Sequence, residues 1–534
     1  MCPFAHLEWS MLPQPQSTSY HEGFNERLCD AVPVEARRVL DVGCAAGRLG
    51  AELKERLDGR YVAGIELDAA AARTAATRLD DVFVIDIEES LPPIEAGSLD
   101  CIVFGDVLEH LRDPETALRR LGGLLAADGI VIISVPNVQH ASVLKALIRG
   151  DFMYQPEGLL DGTHLRFFTD MSFMKLMCDA GFLPQIEYRV ASGTGPEFVE
   201  RATPLLQLHG VSPDGAAAAF DTFQYVFSGT RLQLPDARFA DTPISFVVCC
   251  DDTDQLESNL RRSPCLDPGT PHELIVLRDQ ASAAEGYHAG WEQATGELVV
   301  FVHQDTYLPR GWDSQLIEQF EAAERRYGPI GVAGAFGCAV DGGAPTPLGR
   351  IITRQQTLDL PTPLPASATG VDDALLVMRR DSPLRFDPTL GFHLCGVDLA
   401  LQAHQQQLAV AVLDLPCVHN SLCRHLTPAF HKSRIRLLEK WPDVRPLHTP
   451  MGRLDDMEVE PVLVTWFDER NELAERLALA ADRADMLEAK LSATEAELSA
   501  TEAELQDRRQ HIQNIESSVV WRARGQVNRL LRRG

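Results

Sequence analysis

The sequence predicts an α/β protein in which two successive α/β domains are followed by a long helix. Two series of short apolar runs alternate with stretches of helical periodicity, which indicates parallel strands joined by crossover helices. The first series covers about residues 34–225 and the second about residues 243–425. The chain from Glu472 to Ile515 is rich in Ala, Glu and Leu and contains neither Pro nor Gly, which is typical of a long helix.

Length and composition support several folded domains in one chain. A chain of 534 residues corresponds to two to four domains, and 45% hydrophobic with 24% charged residues is usual for globular proteins. We place domain boundaries at residues 1–235, 240–450, 465–516 and 517–534. The formal charge of −28 argues against nucleic acid as a partner. Without an apolar run long enough to span a bilayer or a signal-peptide pattern, we expect a cytoplasmic protein.

The first domain opens with a nucleotide-binding type of loop in RVLDVGCAAGRLGAEL. An apolar strand ends near Asp41, and the chain then passes through Gly43, Ala45 and Gly47 into a helix. Small residues allow the backbone to approach a ligand, and the helix N-terminus favours an anion. Taken alone, the loop fits any nucleotide-binding α/β fold or a tight turn that binds nothing. The following strand ends at Glu66, whose carboxylate can accept both hydroxyls of a ribose.

Acidic residues also follow the third and fourth strands of this domain. The third strand is predicted to end at Asp86 in VFVIDIEE, and the fourth is followed by Asp106 in FGDVLEHLRDP, with Glu109 and His110 starting a helix. Open α/β sheets bind ligands at the carboxyl ends of their strands. We therefore expect these side chains to meet at one edge of the sheet.

These motifs resemble the class I S-adenosylmethionine-dependent methyltransferases, particularly the small-molecule branch whose fourth strand leads into DVLEHL. The resemblance implies a Rossmann-like domain that binds S-adenosyl-L-methionine. The implied cofactor-binding residues are Asp41, Gly43 and Gly47 at the methionine part, Glu66 at the ribose, Asp86 at the adenine and Asp106 near the sulfonium. It also implies His110 as a general base, with a packing role as the alternative. His164 and Arg166, before a later helix, would belong to an acceptor lid or be solvated loop residues.

The second domain repeats the arrangement of acidic residues after apolar strands. Asp251, Asp279 and Asp305 follow ISFVVCC, ELIVLR and LVVFV, the last as part of the triplet HQD. Farther along, Asp398 begins a helix and a strand delivers His419. Carboxylate and imidazole ligands together suit Mn²⁺ or Mg²⁺.

This ordered set resembles family 2 glycosyltransferases with the nucleotide-diphospho-sugar transferase fold, most closely a subgroup with HQD. The resemblance implies that Asp305 and His419 bind a divalent metal, and that Asp251 and Asp279, with Asp305, bind the nucleotide sugar. Asp398 would be the general base at the acceptor hydroxyl, with a helix N-cap as the alternative. Many members carry a Glu-Asp pair where this chain has Cys395-Gly396.

The C-terminal region contains a heptad repeat and a basic tail. Leu491, Leu498 and Leu505 recur every seven residues in LSATEAELSATEAELQ, which predicts a coiled coil and a homo-oligomer, with an isolated surface helix as the alternative. The tail SSVVWRARGQVNRLLRRG has five arginines and no acidic residue. Such a segment can contact an anionic membrane, here at its inner face.

Together these features predict a bifunctional methyltransferase and glycosyltransferase acting on a glycan acceptor during assembly of a bacterial surface polysaccharide. One alternative is a methyltransferase whose second domain only binds a glycan or nucleotide sugar. A second alternative is a scaffold in which neither site turns over. Gly396 favours the first alternative, whereas Asp305, Asp398 and His419 favour catalysis.

Overall fold

A computed structural model describes residues 25–208, 211, 213–235, 240–341, 344–354, 356–421, 428–449 and 452–454, and residues 508–509, 514 and 522–529 of the C-terminal region. The chain divides into two compact units, Met1–Pro461 and Val462–Gly534. The first unit contains both α/β domains. The heptad leucines of the predicted coiled coil lie outside the described residues, whereas residues 522–529 of the basic tail are helical. No described helix is both long and apolar enough to cross a membrane.

The first domain is a seven-stranded sheet with the order β3-β2-β1-β4-β5-β7-β6. Its strands are β1 Arg38–Val42, β2 Tyr61–Ile65, β3 Asp81–Phe83, β4 Leu99–Gly105, β5 Leu125–Pro136, β6 Phe182–Ala191 and β7 Thr222–Arg231. Strands β1 to β5 pair in parallel, and β7 pairs antiparallel with β5 and β6. The central strands β1 and β4 are almost wholly buried, as expected for a sheet covered on both faces.

Eight helices of the first domain are described. They are α1 Glu26–Ala31, α2 Arg48–Arg56, α3 Ala69–Ala75, α4 Pro114–Gly122, α5 Ala141–Ile148, α6 Asp170–Asp179, α7 Gly195–Leu208 and α8 Pro213–Asp221. Two details of the sequence prediction are wrong. Strand β3 ends at Phe83 and not at Asp86. Glu109 and His110 lie in a short 3-10 helix, Leu108–His110, because Asp113 caps the following helix and Pro114 starts it.

The second domain contains a seven-stranded sheet with the order β16-β19-β12-β18-β10-β8-β9 and a second sheet ordered β11-β20-β14-β13-β17, with β15 on β14. The strands are β8 Ile244–Cys250, β9 Glu273–Arg278, β10 Leu298–Val302, β11 Thr306–Tyr307, β12 Ile330–Gly334, β13 Phe336–Asp341, β14 Ala344–Thr353, β15 Thr357–Asp359, β16 Ala366–Ser367, β17 Gly370–Val371, β18 Leu375–Arg379, β19 Ala409–Val412 and β20 Val418–His419, with the separate pair β21 His448–Thr449 and β22 Gly452–Arg453.

Helices pack against these sheets and connect them. They are α9 Thr253–Ser258, α10 Ala283–Gln293, α11 Trp312–Tyr327, α12 Cys395–Gln405 and α13 Pro428–Lys440, with short 3-10 helices at Leu260–Arg262 and Pro264–Leu266. Strands β9, β8 and β10 are parallel neighbours, so their carboxyl ends lie at one edge of the sheet. The chain then continues from β10 through the HQD triplet directly into β11.

The two α/β domains share one hydrophobic core. Tyr307 and Val418 of the second domain belong to the same buried cluster as Phe173 and Met174 of helix α6. The Tyr307 hydroxyl donates a hydrogen bond to the Asp179 carboxylate at the end of α6. Burial raises the pKa of Asp179 to about 6, although this hydrogen bond opposes the increase. Helix α6 is therefore part of the support for β11 and β20.

A chain of hydrogen bonds continues from helix α6 to the HQD triplet. Lys175 Nζ donates to Asn259 Oδ1 at 2.7 Å and to the Ser258 carbonyl at 2.9 Å. Asn259 Oδ1 also accepts from Asn420 Nδ2 at 3.2 Å. The backbone N–H of Asn420 donates to the Asp305 carbonyl at 2.9 Å. The first domain thus helps to fix the backbone that carries Asp305.

The shared core predicts that Tyr307→Phe destabilises the protein. The substitution removes one donor from the buried Asp179 carboxylate, and we expect the free energy of unfolding to fall by about 1–3 kcal/mol. Chemical denaturation of the full chain measures this. Tyr61→Phe is the matched control, because the Tyr61 hydroxyl also donates to an aspartate, Asp81 Oδ2, but at the exposed surface. We expect a change within about 0.5 kcal/mol there, and equal effects of both variants would contradict a buried interdomain bond.

Candidate active sites

The loop after β1 has the sharp backbone turn that the sequence predicts. Gly43 and Gly47 have φ values of +72° and +78°, in the left-handed region that favours glycine. A Cβ on Gly43 would lie 2.5 Å from Val107 Cγ2, and one on Gly47 would lie 3.0 Å from Ala75 Cα. Ala45 also has a positive φ, +46°, so the departure from glycine leaves the turn intact but strained. Because of these close approaches the loop turns tightly, and its backbone N–H groups lie at the start of α2.

Asp41 and Glu66 lie together beside this loop. Asp41 is buried, and its Oδ2 atom has no hydrogen-bond partner among the described residues. Burial, with a contribution from the charge of Glu66, raises the pKa of Asp41 to about 7. Glu66 Oε2 accepts from the Ala45 N–H and Oε1 accepts from the Asp68 N–H, both at 2.8 Å. Each carboxylate oxygen of Glu66 keeps a further lone pair, so the pair can receive donors from a ligand.

Asp86 and Asp106 follow β3 and β4 at the same edge of the sheet. Asp86 Oδ1 accepts from the Glu88 N–H at 2.8 Å. Asp106 has a φ of +52° and accepts from Gln224 Nε2 at 2.7 Å and Ser134 Oγ at 3.1 Å. Burial raises the pKa of Asp106 despite these two bonds. The structure therefore brings all six predicted cofactor residues to the carboxyl edge of β1 to β4.

A second polar cluster, the Glu109–His110–His164 cluster, lies next to Asp106. Its ligand-capable atoms all lie within 4.8 Å of one another. Glu109 is fully buried, and neither carboxylate oxygen has a hydrogen-bond partner among the residues that the structure describes. Burial, and to a lesser extent Asp106, holds the pKa of Glu109 well above its usual range. A carboxyl with a raised pKa holds its proton more readily than an exposed one, and the unpartnered oxygens of Glu109 can accept a donor from a ligand.

The sequence named these three residues but did not predict that they form one cluster. The signal is the spacing Asp106-x-x-Glu109-His110 on a tight 3-10 turn, which directs Glu109 inward. His164 reaches it because the Leu165 and Arg166 N–H groups both donate to the Glu109 carbonyl, at 2.8 and 2.9 Å. His110 Nδ1 lies 3.0 Å from Thr163 Oγ1. The predicted lid segment is therefore hydrogen-bonded to the turn that carries His110.

In the second domain, His303, Asp305 and His419 form the His–Asp–His cluster. Strand β11 pairs with β20 so that Thr306 lies opposite His419, which brings His419 to the end of β10. His419 Nε2 lies 3.3 Å from Asp305 Oδ1 and 3.4 Å from His303 Nδ1. The ligand-capable atoms of the three residues lie within 4.8 Å of one another. The sequence predicted the pair Asp305 and His419 but gave no ligand role to His303.

Asp305 and the two histidines perturb one another, and although burial lowers the pKa of His419, the charge of Asp305 raises it. Burial alone would raise the pKa of Asp305, but the charges of His419 and His303 lower it by more, to below its usual range. Burial and the neighbouring His419 lower the pKa of His303. Asp305 Oδ1 is buried and has no partner in good hydrogen-bond geometry among the described residues. One carboxylate and two imidazoles are a donor set that divalent transition metals accept.

Gln304, the middle residue of HQD, ties this cluster to β8. Its Oε1 atom accepts from the Asp251 and Asp252 N–H groups at 3.1 and 3.0 Å, and its Nε2 atom donates to the Asp251 carboxylate. Asp279 follows β9 with a φ of +56°. The three residues predicted to bind the nucleotide sugar, Asp251, Asp279 and Asp305, therefore follow three neighbouring parallel strands.

Asp398 takes a different position from the one expected of an N-cap. Helix α12 begins at Cys395 with Leu394 as its N-cap, so the N-cap alternative for Asp398 is wrong. Asp398 is 1% exposed. Its carboxylate accepts from Gln402 Nε2 at 2.7 Å, Lys440 Nζ at 2.9 Å and Trp441 Nε1 at 2.8 Å. These bonds join α12 to the end of α13, and the general-base role of Asp398 stays a prediction.

Comparison with known proteins identifies a family for each domain. A methyltransferase domain family matches residues 20–184, and a glycosyltransferase-like family matches residues 245–441. A solved S-adenosylmethionine-dependent methyltransferase from Archaeoglobus fulgidus is 19% identical, with 39% of this chain and 92% of that chain covered and a TM-score of 0.29.

Curated relatives match the first domain. A ubiquinone biosynthesis O-methyltransferase of Psychrobacter arcticus is 31% identical over 159 residues, which are 28% of this chain and 60% of the relative. The enzyme of that name from Cupriavidus pinatubonensis is 30% identical over 185 residues, 33% of this chain and 69% of the relative. An uncharacterised methyltransferase of Mycobacterium tuberculosis is 34% identical over 135 residues, 24% of this chain and 66% of the relative.

The chain thus spans about 60% to 69% of the length of these curated relatives, all within its first domain. The 30% identity over 69% of the Cupriavidus pinatubonensis relative, together with the match of the methyltransferase domain family, shows the family of the first domain. The chain belongs to the S-adenosylmethionine-dependent methyltransferases, and it carries a glycosyltransferase-like domain after the methyltransferase domain.

Proposed function

We propose that the protein is a bifunctional enzyme that methylates a hydroxyl group and transfers a sugar from a nucleotide sugar, both on one glycan acceptor. The first domain belongs to the S-adenosylmethionine-dependent methyltransferases. The His–Asp–His cluster, at the carboxyl edge of β9, β8 and β10, is the observation that carries the second activity. The shared core supports a common acceptor, because the two sites belong to one compact unit. Assembly of a bacterial surface polysaccharide is the process that we assign to this pair of reactions.

The residues of the first site fit S-adenosyl-L-methionine. The cofactor supplies an electrophilic methyl group on a sulfonium. The unpartnered Asp41 Oδ2 can accept from the amino group of its methionine part, and the left-handed backbone of Gly43 and Gly47 forms the tight turn beside it. Glu66 accepts from the ribose hydroxyls with its remaining lone pairs, and Asp86 accepts from the adenine amino group. The observation that supports this fit is Asp41 Oδ2, a buried hydrogen-bond acceptor that receives no donor from the described residues.

The Glu109–His110–His164 cluster supports methylation of a hydroxyl. Two of the three curated relatives are named O-methyltransferases, and a hydroxyl becomes a better nucleophile when a base takes its proton. We assign that role to His110, whose orientation is set by Thr163. Asp106, held by Gln224 and Ser134, borders the reacting groups.

The His–Asp–His cluster fits Mn²⁺ or Mg²⁺. Asp305 and His419, joined by His303, would hold the ion, and its chemistry there is to offset negative charge on a diphosphate leaving group. Asp251 and Asp279 lie where they can contact the nucleoside.

The C-terminal region completes the proposal. We assign self-association to the heptads at 465–516 and contact with the inner face of the membrane to the arginine-rich tail at 517–534. Nucleotide sugar and glycan acceptor are the proposed partners, and nucleic acid is not among them.

One observation favours a different role for the second domain. Gly396 stands where many glycosyltransferases of this type have a carboxylate, and Asp398 is already bonded to three donors. A domain that binds a glycan or nucleotide sugar without turnover agrees with both facts. Binding and transfer must therefore be measured separately.

Calorimetry with S-adenosylhomocysteine tests the first site in the full chain. Glu66→Ala removes a charged acceptor of the ribose hydroxyls, and we expect affinity to fall by about 1–3 kcal/mol. Glu89→Ala, at an exposed glutamate beyond β3, is the matched control and should bind like the parent. Unchanged affinity in Glu66→Ala would remove Glu66 from the site, and a parent that binds nothing would contradict the cofactor assignment.

Calorimetry with UDP or GDP in the presence of Mn²⁺ tests the second site. Asp305→Ala should abolish the Mn²⁺-dependent part of binding and, with a panel of nucleotide sugars, all sugar transfer, because the carboxylate ligand is lost. The variant should remain folded by circular dichroism, although loss of the Asp305–His419 pair should lower its melting temperature somewhat. Asp381→Ala, at an exposed aspartate of the same domain, should behave like the parent. Parent-like binding in Asp305→Ala would exclude this metal site, and nucleotide-sugar binding without transfer by the parent would favour the binding-only alternative.

Light scattering tests the proposed self-association. Deletion of residues 465–534 should yield a smaller species, because the leucine seam cannot be buried within one chain. S-adenosylhomocysteine binding should remain as in the full chain. A full-length protein that is monomeric at micromolar concentration would favour the isolated-helix alternative.

A further inference from the structure

The carboxylate that Gly396 lacks is supplied in the structure by another element. Asp373, just before β18, directs its side chain at the first turn of α12. Its Oδ1 atom accepts from the Gly396 N–H at 2.6 Å, and its Oδ2 atom accepts from the Leu394 N–H. A Cβ built on Gly396 would lie 3.2 Å from Asp373 Oδ1. The carboxylate of Asp373 therefore occupies the space next to the missing side chain.

The backbone of α12 is shaped around this contact. Leu394, the N-cap, has a φ of +69°, which is uncommon for a residue other than glycine and costs free energy. A Cβ on Gly396 would also lie 2.7 Å from the Val371 carbonyl, closer than real contacts allow. A side chain at position 396 is thus excluded by the backbone. Helix α12 therefore cannot carry the usual carboxylate at position 396. The segment just before β18 carries one instead, at Asp373.

Asp373 also lies close to the His–Asp–His cluster. The Ala374 carbonyl, one residue after it, accepts from the His303 N–H at 3.2 Å. The hydroxyl of Tyr287, on α10, is influenced by the charges of both Asp373 and Asp305. Asp373 is half-buried and not sealed in the core. A substrate held at the His–Asp–His cluster would meet this carboxylate at the same sheet edge.

The electrostatic surroundings of Asp373 suit a group that takes up a proton. Burial, and then the adjacent Asp372, raises the pKa of Asp373 to about 7, although the N–H groups of Gly396, Leu394 and Cys395 lower it. Titratable groups face it from three sides: Asp372 on its own segment, Tyr287 on α10 and Cys395 on α12. None of them is a cation that would hold the carboxylate permanently charged.

We propose that Asp373 is the general base of sugar transfer, in place of a carboxylate on α12. This inference rests on the proposed glycosyltransferase activity. The acceptor hydroxyl oxygen forms a bond to the anomeric carbon of the nucleotide sugar, and its proton passes to an Asp373 carboxylate oxygen. The bond between the anomeric carbon and the diphosphate oxygen breaks, and its electron pair leaves with the nucleoside diphosphate.

Asp398 is less suited to this step than Asp373. Its carboxylate accepts from Gln402, Lys440 and Trp441, two of which lie outside α12, and these bonds fix its position. It is 1% exposed, so a substrate hydroxyl has little access to it. Asp398 therefore helps to hold helix α12 against the end of helix α13.

The test uses the full chain with Mn²⁺ and four probes: UDP-glucose, UDP-galactose, UDP-N-acetylglucosamine and GDP-mannose. Asp373→Asn keeps a hydrogen-bond acceptor at the helix but has no base, and Asp373→Ser is a second variant that keeps a capping hydroxyl. With the probe that the parent consumes fastest, we expect the turnover number of both variants to fall by about 10²–10⁴. The donor KM and the calorimetric affinity for the nucleoside diphosphate should stay within about twofold, because donor binding does not use the base.

A substitution at the cap of another helix distinguishes the effect of a weakened helix cap from the effect of losing the base. Asp113→Asn weakens the comparable cap of α4, where Asp113 Oδ1 accepts from the Thr116 N–H, and should leave sugar transfer as in the parent. All assays are run where circular dichroism shows each variant to be folded. Parent-like turnover in folded Asp373→Asn, or loss of turnover in Asp398→Asn alone, overturns the assignment of Asp373. A parent that binds donors but consumes none overturns the proposed transfer and this inference together.

Discussion

The packing of helix α6 against β11 and β20 is the contact on which the arrangement of the second site depends. Asp305 directly precedes β11, and His419 ends β20, so the positions of both ligand candidates depend on two-residue strands that are too short to be stable alone. Tyr307 and Val418 of these strands are buried in the core of the first domain. The methyltransferase domain is thus a structural part of the glycosyltransferase-like site. This gives a physical reason for the fusion that does not depend on a shared acceptor.

Burial raises the pKa of the acidic residues in both sites, and the neighbouring charges then differ. For Asp41, Glu109 and Asp373 the nearby carboxylates Glu66, Asp106 and Asp372 add to the increase. For Asp305 the charges of His419 and His303 outweigh burial and lower the pKa. Asp41 and Asp373, each with a pKa of about 7, can take up or release a proton near neutral pH, whereas Asp305 stays charged. Proton transfer and cation binding are therefore assigned to different residues by their surroundings.

Much of the fold could be predicted from local patterns. Strands such as β1, β4, β8 and β10 are continuous apolar runs because parallel strands are buried on both faces, and their carboxyl ends carry the acidic residues. The glycine turn after β1 was equally clear, since Gly43 and Gly47 meet close neighbours. The His–Asp–His cluster was predicted in part from HQD and a later histidine.

Features that depend on tertiary contacts were not accessible from the sequence. The bond from Tyr307 to Asp179 joins residues 128 apart in the chain and has no local signal. Asp373 reads as a turn residue before a strand, and only the fold shows that it faces Gly396. The surroundings of Asp398 were not predictable either, because its partners Lys440 and Trp441 lie at the end of another helix and just beyond it. Sequence patterns indicate which edge of a sheet binds a ligand, but not which distant side chain completes the site.

The central claim is that the second domain is a metal-dependent nucleotide-sugar site supported by the methyltransferase domain. A crystal structure of the chain grown with UDP and Mn²⁺, with anomalous data collected at the manganese edge, tests it most directly. We expect one anomalous peak bonded to the UDP diphosphate and to Asp305 and His419, with His303 at the same ion. UDP bound away from β10 and β11, or bound there with no anomalous peak, would contradict the proposed metal site.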